Sequence, residues 1–119
     1  MDVRGDTGRS GEDAAERVYR SNGYRIVERN WRCHLGELDL VARRGTTLVF
    51  CEVKACRGAT FGGGWQAVTW RKRAKLRALA EAYLSSTTTW AVDVRFDVAS
   101  VAVHADGRSL DVHLFEDAF

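Results

Sequence analysis

Four residues near the middle of the chain hold its chemistry: Glu37, Asp39, Glu52 and Lys54. Glu52 and Lys54 close an otherwise apolar run, Thr47-Leu48-Val49-Phe50-Cys51-Glu52-Val53-Lys54, which reads as a strand. Side chains alternate along a strand, so Leu48, Phe50, Glu52 and Lys54 share one face, while Val49, Cys51 and Val53 take the other. A carboxylate and an ammonium therefore meet at the rim of a core, where an unpaired charge is costly, and Glu52 must be paired, hydrogen-bonded or metal-bound. Glu37 and Asp39 share a face of the preceding strand, and a hairpin closed near Arg44 and Gly45 would bring that pair opposite Phe50 and Glu52. Converging carboxylates repel one another, and a hard divalent cation with oxygen ligands holds such groups together at neutral pH. Lys54, one step away, can position a water or neutralise charge on a transferred phosphate. The chemistry of this set would be metal-assisted hydrolysis. Spacing alone leaves an equal alternative, in which Glu52 and Lys54 form a local ion pair at a strand end and Glu37 and Asp39 are ordinary edge residues.

A scaffold must bring these residues together. The 119 residues suit a single domain, 1–119, with residues 1–9 expected to be flexible. Ser10 reads as the cap of a helix through Gly11 to Tyr19, with acidic residues in its first turn and Gly23 as its stop. Tyr24 to Trp31 mixes β-branched and aromatic residues and predicts a first strand. Glu37 to Ala42 and Thr47 to Lys54 form a hairpin about Arg43-Arg44-Gly45-Thr46. A glycine-rich loop, Gly58 to Trp65, precedes the longest helix, Gln66 to Leu84, whose Val68, Leu76, Leu79, Ala80, Tyr83 and Leu84 gather on one face. Ser85 to Thr89 breaks the pattern. Trp90 to Val103 alternates strongly, Ala105 to Arg108 makes a turn, and Leu110 to Phe115 returns as the last strand. The order is α-β-β-β-α-β-β, a layered α/β protein.

The pattern Gly36-Glu37-Leu38-Asp39-Leu40, followed at Glu52 by Glu52-Val53-Lys54, resembles the PD-(D/E)xK nuclease motif and, more narrowly, the YraN family of small bacterial proteins. The likeness runs over nearly the whole chain: Gly11-Glu12 with Ala14-Ala15, Gly23-Tyr24, Arg29-Asn30-Trp31-Arg32, Phe61-Gly62, Val68-Thr69 before Arg71-Lys72, and Arg95-Phe96-Asp97-Val98 follow in order. It implies a restriction-endonuclease-like fold, a central mixed β-sheet flanked by helices. It also implies that Asp39 and Glu52 are metal-ligand carboxylates and Lys54 the catalytic lysine, with Mg2+ or Mn2+ as cofactor. The family is similar to archaeal Holliday-junction resolvases, whose first-helix glutamate joins the metal. Glu12 corresponds to it, and Glu16, one turn later, competes for that place. Leu38 stands where the motif has proline. Glu37 is read as a residue outside the ligand set or on the substrate side.

Basic residues support an anionic partner. Arg71, Lys72, Arg73, Lys75 and Arg77 crowd together, and Arg29, Arg32, Arg43, Arg44 and Arg57 surround the acidic motif, although the net charge is only +2. Lys72 falls on the apolar face of its helix and can aim at the acidic site or at a phosphate. A stem laid over apolar surface is the equal alternative. Gln66, Arg32 and Arg57 are further substrate-side candidates. Trp65 and Trp70 flank the helix start and read as partial core in preference to base-stacking platforms. The loop Gly58 to Trp65 lacks the ending of a phosphate-binding P-loop and reads as a flap. His34, His104 and His113 read as surface or satisfied core residues.

Three cysteines at irregular spacing argue against a disulfide framework, and Cys51 and Cys56 lack a matching pair for structural zinc. The polar start, Met1 to Ser10, does not resemble a signal peptide, and no stretch has the length of a membrane span, so a cytoplasmic location is expected. The reading that follows is a Mg2+- or Mn2+-dependent endonuclease acting on DNA, with branched or flapped substrates in view. The rival is a nucleic-acid-binding or partner-binding module that keeps the fold without turnover. The sequence does not choose between a monomer and a homodimer.

Overall fold

A computed structural model describes residues 3–57, 69–91, 93–104 and 110–119. The expectations for the Gly58 to Trp65 flap, for Gln66 and for the Ala105 to Arg108 turn lie outside these residues, as does the side chain of Arg57. The elements are α1 (Val3–Ser21), β1 (Arg25–Cys33), β2 (Gly36–Arg44), β3 (Thr47–Arg57), α2 (Trp70–Ser86), β4 (Asp93–Val103) and β5 (Leu110–Phe115), in the expected order. One mixed sheet runs β1-β2-β3-β4-β5, with β3 and β4 parallel and the other neighbours antiparallel. A parallel pair needs a crossover, and α2 lies in that connection.

The helices cover opposite faces. Ala15 and Tyr19 of α1 pack with Leu40, Ala42, Val49, Cys51 and Ala99. Leu76, Leu79, Ala80 and Tyr83 of α2 pack with Leu38, Val41, Leu48 and Phe50. The alternation read along β3 therefore holds: Val49 and Cys51 face α1, while Leu48 and Phe50 face α2. Tyr83 meets both Trp31 and Phe50 edge to face, an arrangement that aromatic quadrupoles favour. Among the described residues no helix is long and apolar enough to cross a membrane.

α1 starts at Val3, well before the cap expected at Ser10, so Ser10 lies inside the helix. Its far end is the stop that glycine allows. Gly23 takes φ +84, its N–H donates to the Arg20 carbonyl at 3.1 Å, and Tyr24 N–H donates to the Tyr19 carbonyl at 3.0 Å. This is the double bond pattern of a Schellman motif, with the two tyrosine rings 5.3 Å apart as its apolar contact. α2 begins at Trp70 with Thr69 as cap, its Oγ1 accepting from Lys72 N–H at 3.2 Å. Ser85 and Ser86, expected in the polar break, form the helix's last residues. β4 likewise begins at Asp93 instead of Trp90, and Trp90 is exposed.

Asp97 is fully buried on the α1 side. Arg95 grips it with Nε and Nη2 at 2.9 Å each, Tyr19 Oη donates at 2.6 Å, and Asp117 N–H donates at 2.9 Å. A buried carboxylate is tolerable when donors surround it this way, and here they join α1, β4 and the segment after β5.

Candidate functional site

The turn at Gly45 and Thr46 sets the β2–β3 register, pairing Arg44 with Thr47, Val41 with Phe50 and Leu40 with Cys51. Continued one step, that register brings Asp39 level with Glu52, as expected. Glu37 would then stand level with Lys54 and not with Phe50, because antiparallel neighbours run in opposite directions; Phe50 faces Val41. The ladder itself stops at Leu40 and Cys51. Beyond that point Asp39 Oδ2 accepts the Val53 N–H at 2.9 Å, taking a bond the backbone would otherwise have made. Leu38, which strict alternation would place with Leu40, joins the α2-side cluster instead. The strands part here, and the Asp39 carboxylate sits at the parting.

Three carboxylates converge on this point. Single oxygens of Glu12, Glu37 and Asp39 lie within 4.8 Å of one another. Glu12 reaches it from α1 because Gly11 lets the helix ride close on β3: a Cβ at Gly11 would stand 3.1 Å from the Ala55 Cβ and 3.6 Å from a Val53 methyl. Gly11→Val should therefore cost about 1–3 kcal/mol by overpacking and carry Glu12 away from Asp39. Urea denaturation measures the first effect, and an unchanged midpoint would mean that α1 is not seated on β3 through this glycine. Of the two glutamates that competed for the α1 position, Glu12 is the one brought to Asp39. Glu16 instead pairs with Arg20 at 3.4 Å and Arg29 at 3.7 Å.

Counter-charges surround the group unevenly. Glu12 has Arg29 at 3.5 Å, and Glu37 has the exposed Arg32 at 2.8 Å. Glu52 is nearly buried, and its Oε1 receives Lys72 Nζ at 2.7 Å and Lys54 Nζ at 3.6 Å. Lys72 thus reaches the acidic site. Asp39 has the Val53 N–H and, among the described residues, no ion pair. Burial, and then the charge of Glu52, push its carboxyl up to about 7. Burial also holds the Lys54 ammonium below its ordinary value, with neighbouring Lys72 adding to the effect. Burial lowers Lys72 as well, but its bonds to Glu52 and Lys54 and the charges of Glu52 and Asp39 together outweigh that and leave it raised.

The site opens into a cleft of about 290 Å³ between β2, the middle of β3 and α2, where Glu37, Asp39 and Glu52 face Lys72 and Lys75, with Leu76 and Leu79 behind them. Asp39, Glu52, Lys54, Glu12, Glu37 and Lys72 are all brought together, and Arg32 stands at the edge through Glu37. Three placements differ from expectation. Glu52, expected among the ligands, stands beside the three-carboxylate group, anchoring the lysine pair. Glu37, expected outside the ligands, is within that group. Trp70, read as partial core, is 84% exposed. Its helical phase explains this: Leu76, Leu79, Ala80 and Tyr83 define the buried stripe, and position 70 lies off it.

Two participants were named in the sequence only among its basic residues, with no role of their own at the site. Arg29 ties Glu12 and Asp13 to β1, the latter at 2.7 Å, and Lys75 lines the cleft. Arg29 precedes Asn30, which takes φ 54 inside β1. Asn tolerates that left-handed conformation better than most residues, and the Arg29-Asn30 pair was the available signal.

Comparison with known proteins agrees along the chain. Residues 11–101 match the family described as "Uncharacterised protein family UPF0102". A UPF0102 protein of Parafrankia sp. (strain EAN1pec) is 50% identical over 101 residues, covering 85% of this chain and 86% of the relative. Another, from Pelotomaculum thermopropionicum, is 43% identical over 118 residues, covering 99% and 98%. A third, from Nocardia farcinica, is 45% identical over 107 residues, covering 90% and 84%.

Proposed function

The chain belongs to the UPF0102 family, and from that premise and the cleft's geometry we propose that it is a divalent-metal-dependent nuclease of the PD-(D/E)xK, restriction-endonuclease-like type, hydrolysing phosphodiester bonds in DNA, with branched or flapped structures as its substrates. One observation carries the reading: three carboxylates from two elements, Glu12, Glu37 and Asp39, converge within 4.8 Å beside a lysine pair. All three donors are hard oxygens, and an octahedral Mg2+ shell, with ligands at about 2.0–2.1 Å, holds its oxygens about 3–4 Å apart, a separation these carboxylates reach by small side-chain rotations. The donor set therefore fits such an ion.

Bound there, the ion would neutralise charge on the scissile phosphate and lower the pKa of a coordinated water. Asp39 is pre-oriented by Val53 N–H. Glu12 and Glu37 are steadied from the other side by Arg29 and Arg32. Lys54, held at Glu52 with a lowered proton affinity, is placed to orient the attacking water and to exchange a proton at Nζ. Lys72 and Lys75 supply positive charge where a phosphate would enter. Glu52 serves first as the anchor of the lysines and reaches a metal only if Lys72 releases its Oε1.

That same contact favours the second reading, a DNA-binding module without turnover, since an ammonium already satisfies Glu52 at 2.7 Å. Cleavage of single-stranded, duplex, flapped and junction DNA with Mg2+, Mn2+ or EDTA separates the two. Metal-dependent cleavage, strongest on a branched or flapped substrate, is the result expected. Salt-sensitive binding with no cleavage under any metal would favour the module.

A further inference from the structure

The flank of α2 that turns away from the acidic cleft carries four residues that the proposed chemistry does not use: Trp70, Arg73, Ala74 and Arg77, which together with Phe119 line an open groove of about 540 Å³. We propose that this groove is a stacking platform for unpaired bases, so that the strand fed to the cleft is single. The inference rests on the nuclease reading and deepens it by naming the form of the substrate.

The groove is apolar in its walls and cationic at its edges. Trp70 is 84% exposed, so most of a large π-surface stands in solvent. The Arg73 guanidinium lies 5.7 Å from the Trp70 ring and 5.8 Å from that of Phe119. Arg77 lies 5.8 Å from Phe119 and 5.4 Å from Phe96. Phe119 in turn stacks on Phe96, 5.2 Å between centroids at 25°. The arginines thus steady the rings while carrying charge, and planar guanidinium, indole and phenyl groups are the surfaces on which bases stack whatever their sequence. The first turn of α2 contains no acidic residue to oppose a phosphate. Bases inside a duplex present only their edges, so a paired strand could not use the faces of these rings.

The placement connects the platform to the cleft. Positions 70, 73, 74 and 77 form one stripe of α2, and positions 72, 75, 76 and 79, which line the cleft, form the opposite one. Both occupy the same turns, so they are separated by one helix width, about 10–12 Å, which about three stacked nucleotides at ~3.4 Å each would bridge across the helix start. A second copy of this chain is a poorer occupant. Twofold packing would set Arg73 and Arg77 against their own counterparts, like charges facing across an apolar contact.

The test is binding of fluorescein-labelled oligothymidylate, against a labelled duplex, in EDTA at fixed salt, with wild type, Trp70→Ala and Trp70→Phe. Trp70 is so exposed that neither change should move the melting temperature. Trp70→Ala is expected to weaken single-strand binding about 5- to 100-fold, with duplex binding within about twofold, and Trp70→Phe to keep most of the affinity. Undiminished single-strand binding by Trp70→Ala overturns the platform. So do equal losses on both DNAs, no wild-type binding of the single strand, or light scattering that shows a wild-type dimer turned monomer by Trp70→Ala. The two readings fail separately. A single-strand-selective loss without cleavage under any metal keeps the platform and removes the nuclease. Asp39-dependent cleavage of single strands at equal rates in wild type and Trp70→Ala keeps the nuclease and removes the platform.

Discussion

Asp39→Ala and Lys54→Ala should each lower DNA cleavage by about three orders of magnitude, near 4 kcal/mol of transition-state stabilisation, while leaving the protein folded. Asp39 sits at the centre of the carboxylate group, and its loss removes the ligand that Val53 N–H orients. Lys54 is the ammonium held in the second half of β3 by Glu52. Single-turnover rates at saturating Mg2+ or Mn2+ give the measurement. A Lys54→Ala protein cleaving at the wild-type rate would remove this lysine from the chemistry, and a fully active Asp39→Ala protein would remove the whole site. Folding is checked independently, because neither side chain belongs to the apolar clusters beneath α1 and α2.

The second large effect is on stability. Asp39 has its carboxyl raised from 3.8 to about 7, by burial and by Glu52. A raised carboxyl means that the folded state holds a proton the unfolded chain has released, so the metal-free protein gains stability below about pH 4 and loses it as pH rises through about 7. Asp39→Asn keeps a neutral acceptor for Val53 N–H and removes this dependence. In EDTA, Asp39→Asn should therefore melt higher than wild type at pH 8 and alike at pH 4, the gap opening by on the order of 10 °C. Saturating Mn2+ should raise the wild-type melting temperature at pH 8 and leave that of Asp39→Asn unmoved. A gap that does not change with pH would mean that Asp39 is not strained by its neighbours.

Local patterns carried much of this into the sequence. Glu52 and Lys54 were legible because alternation along β3 is a property of the strand itself, and Gly23 because one positive φ ends α1. The last strand, Leu110–Phe115, and the element order were legible for the same reason. What the sequence did not disclose depends on contacts between elements. The parting of β2 and β3 at Asp39 changes which side Leu38 takes and draws Glu37 into the carboxylates, and no period within β2 announces it. Choosing Glu12 over Glu16 needs the close seat of Gly11 on Ala55, a relation between a helix and a strand far along the chain. The buried Asp97 network lay in a segment whose alternation showed only a strand, while its partners Tyr19 and Asp117 come from distant positions. Trp70 is different: its place off the buried stripe of α2 was available from helical phase, and the general tendency of tryptophan to be buried outweighed it.

In the proposed site the parted strands and α1 present their carboxylates to one ion. A crystal grown without metal and soaked in Mn2+ at pH 8 tests it directly by anomalous scattering. A peak is expected within bonding distance of Asp39, with Glu12 and Glu37 among its neighbours. A well-ordered cleft with no peak, or a peak only at other carboxylates, would contradict it.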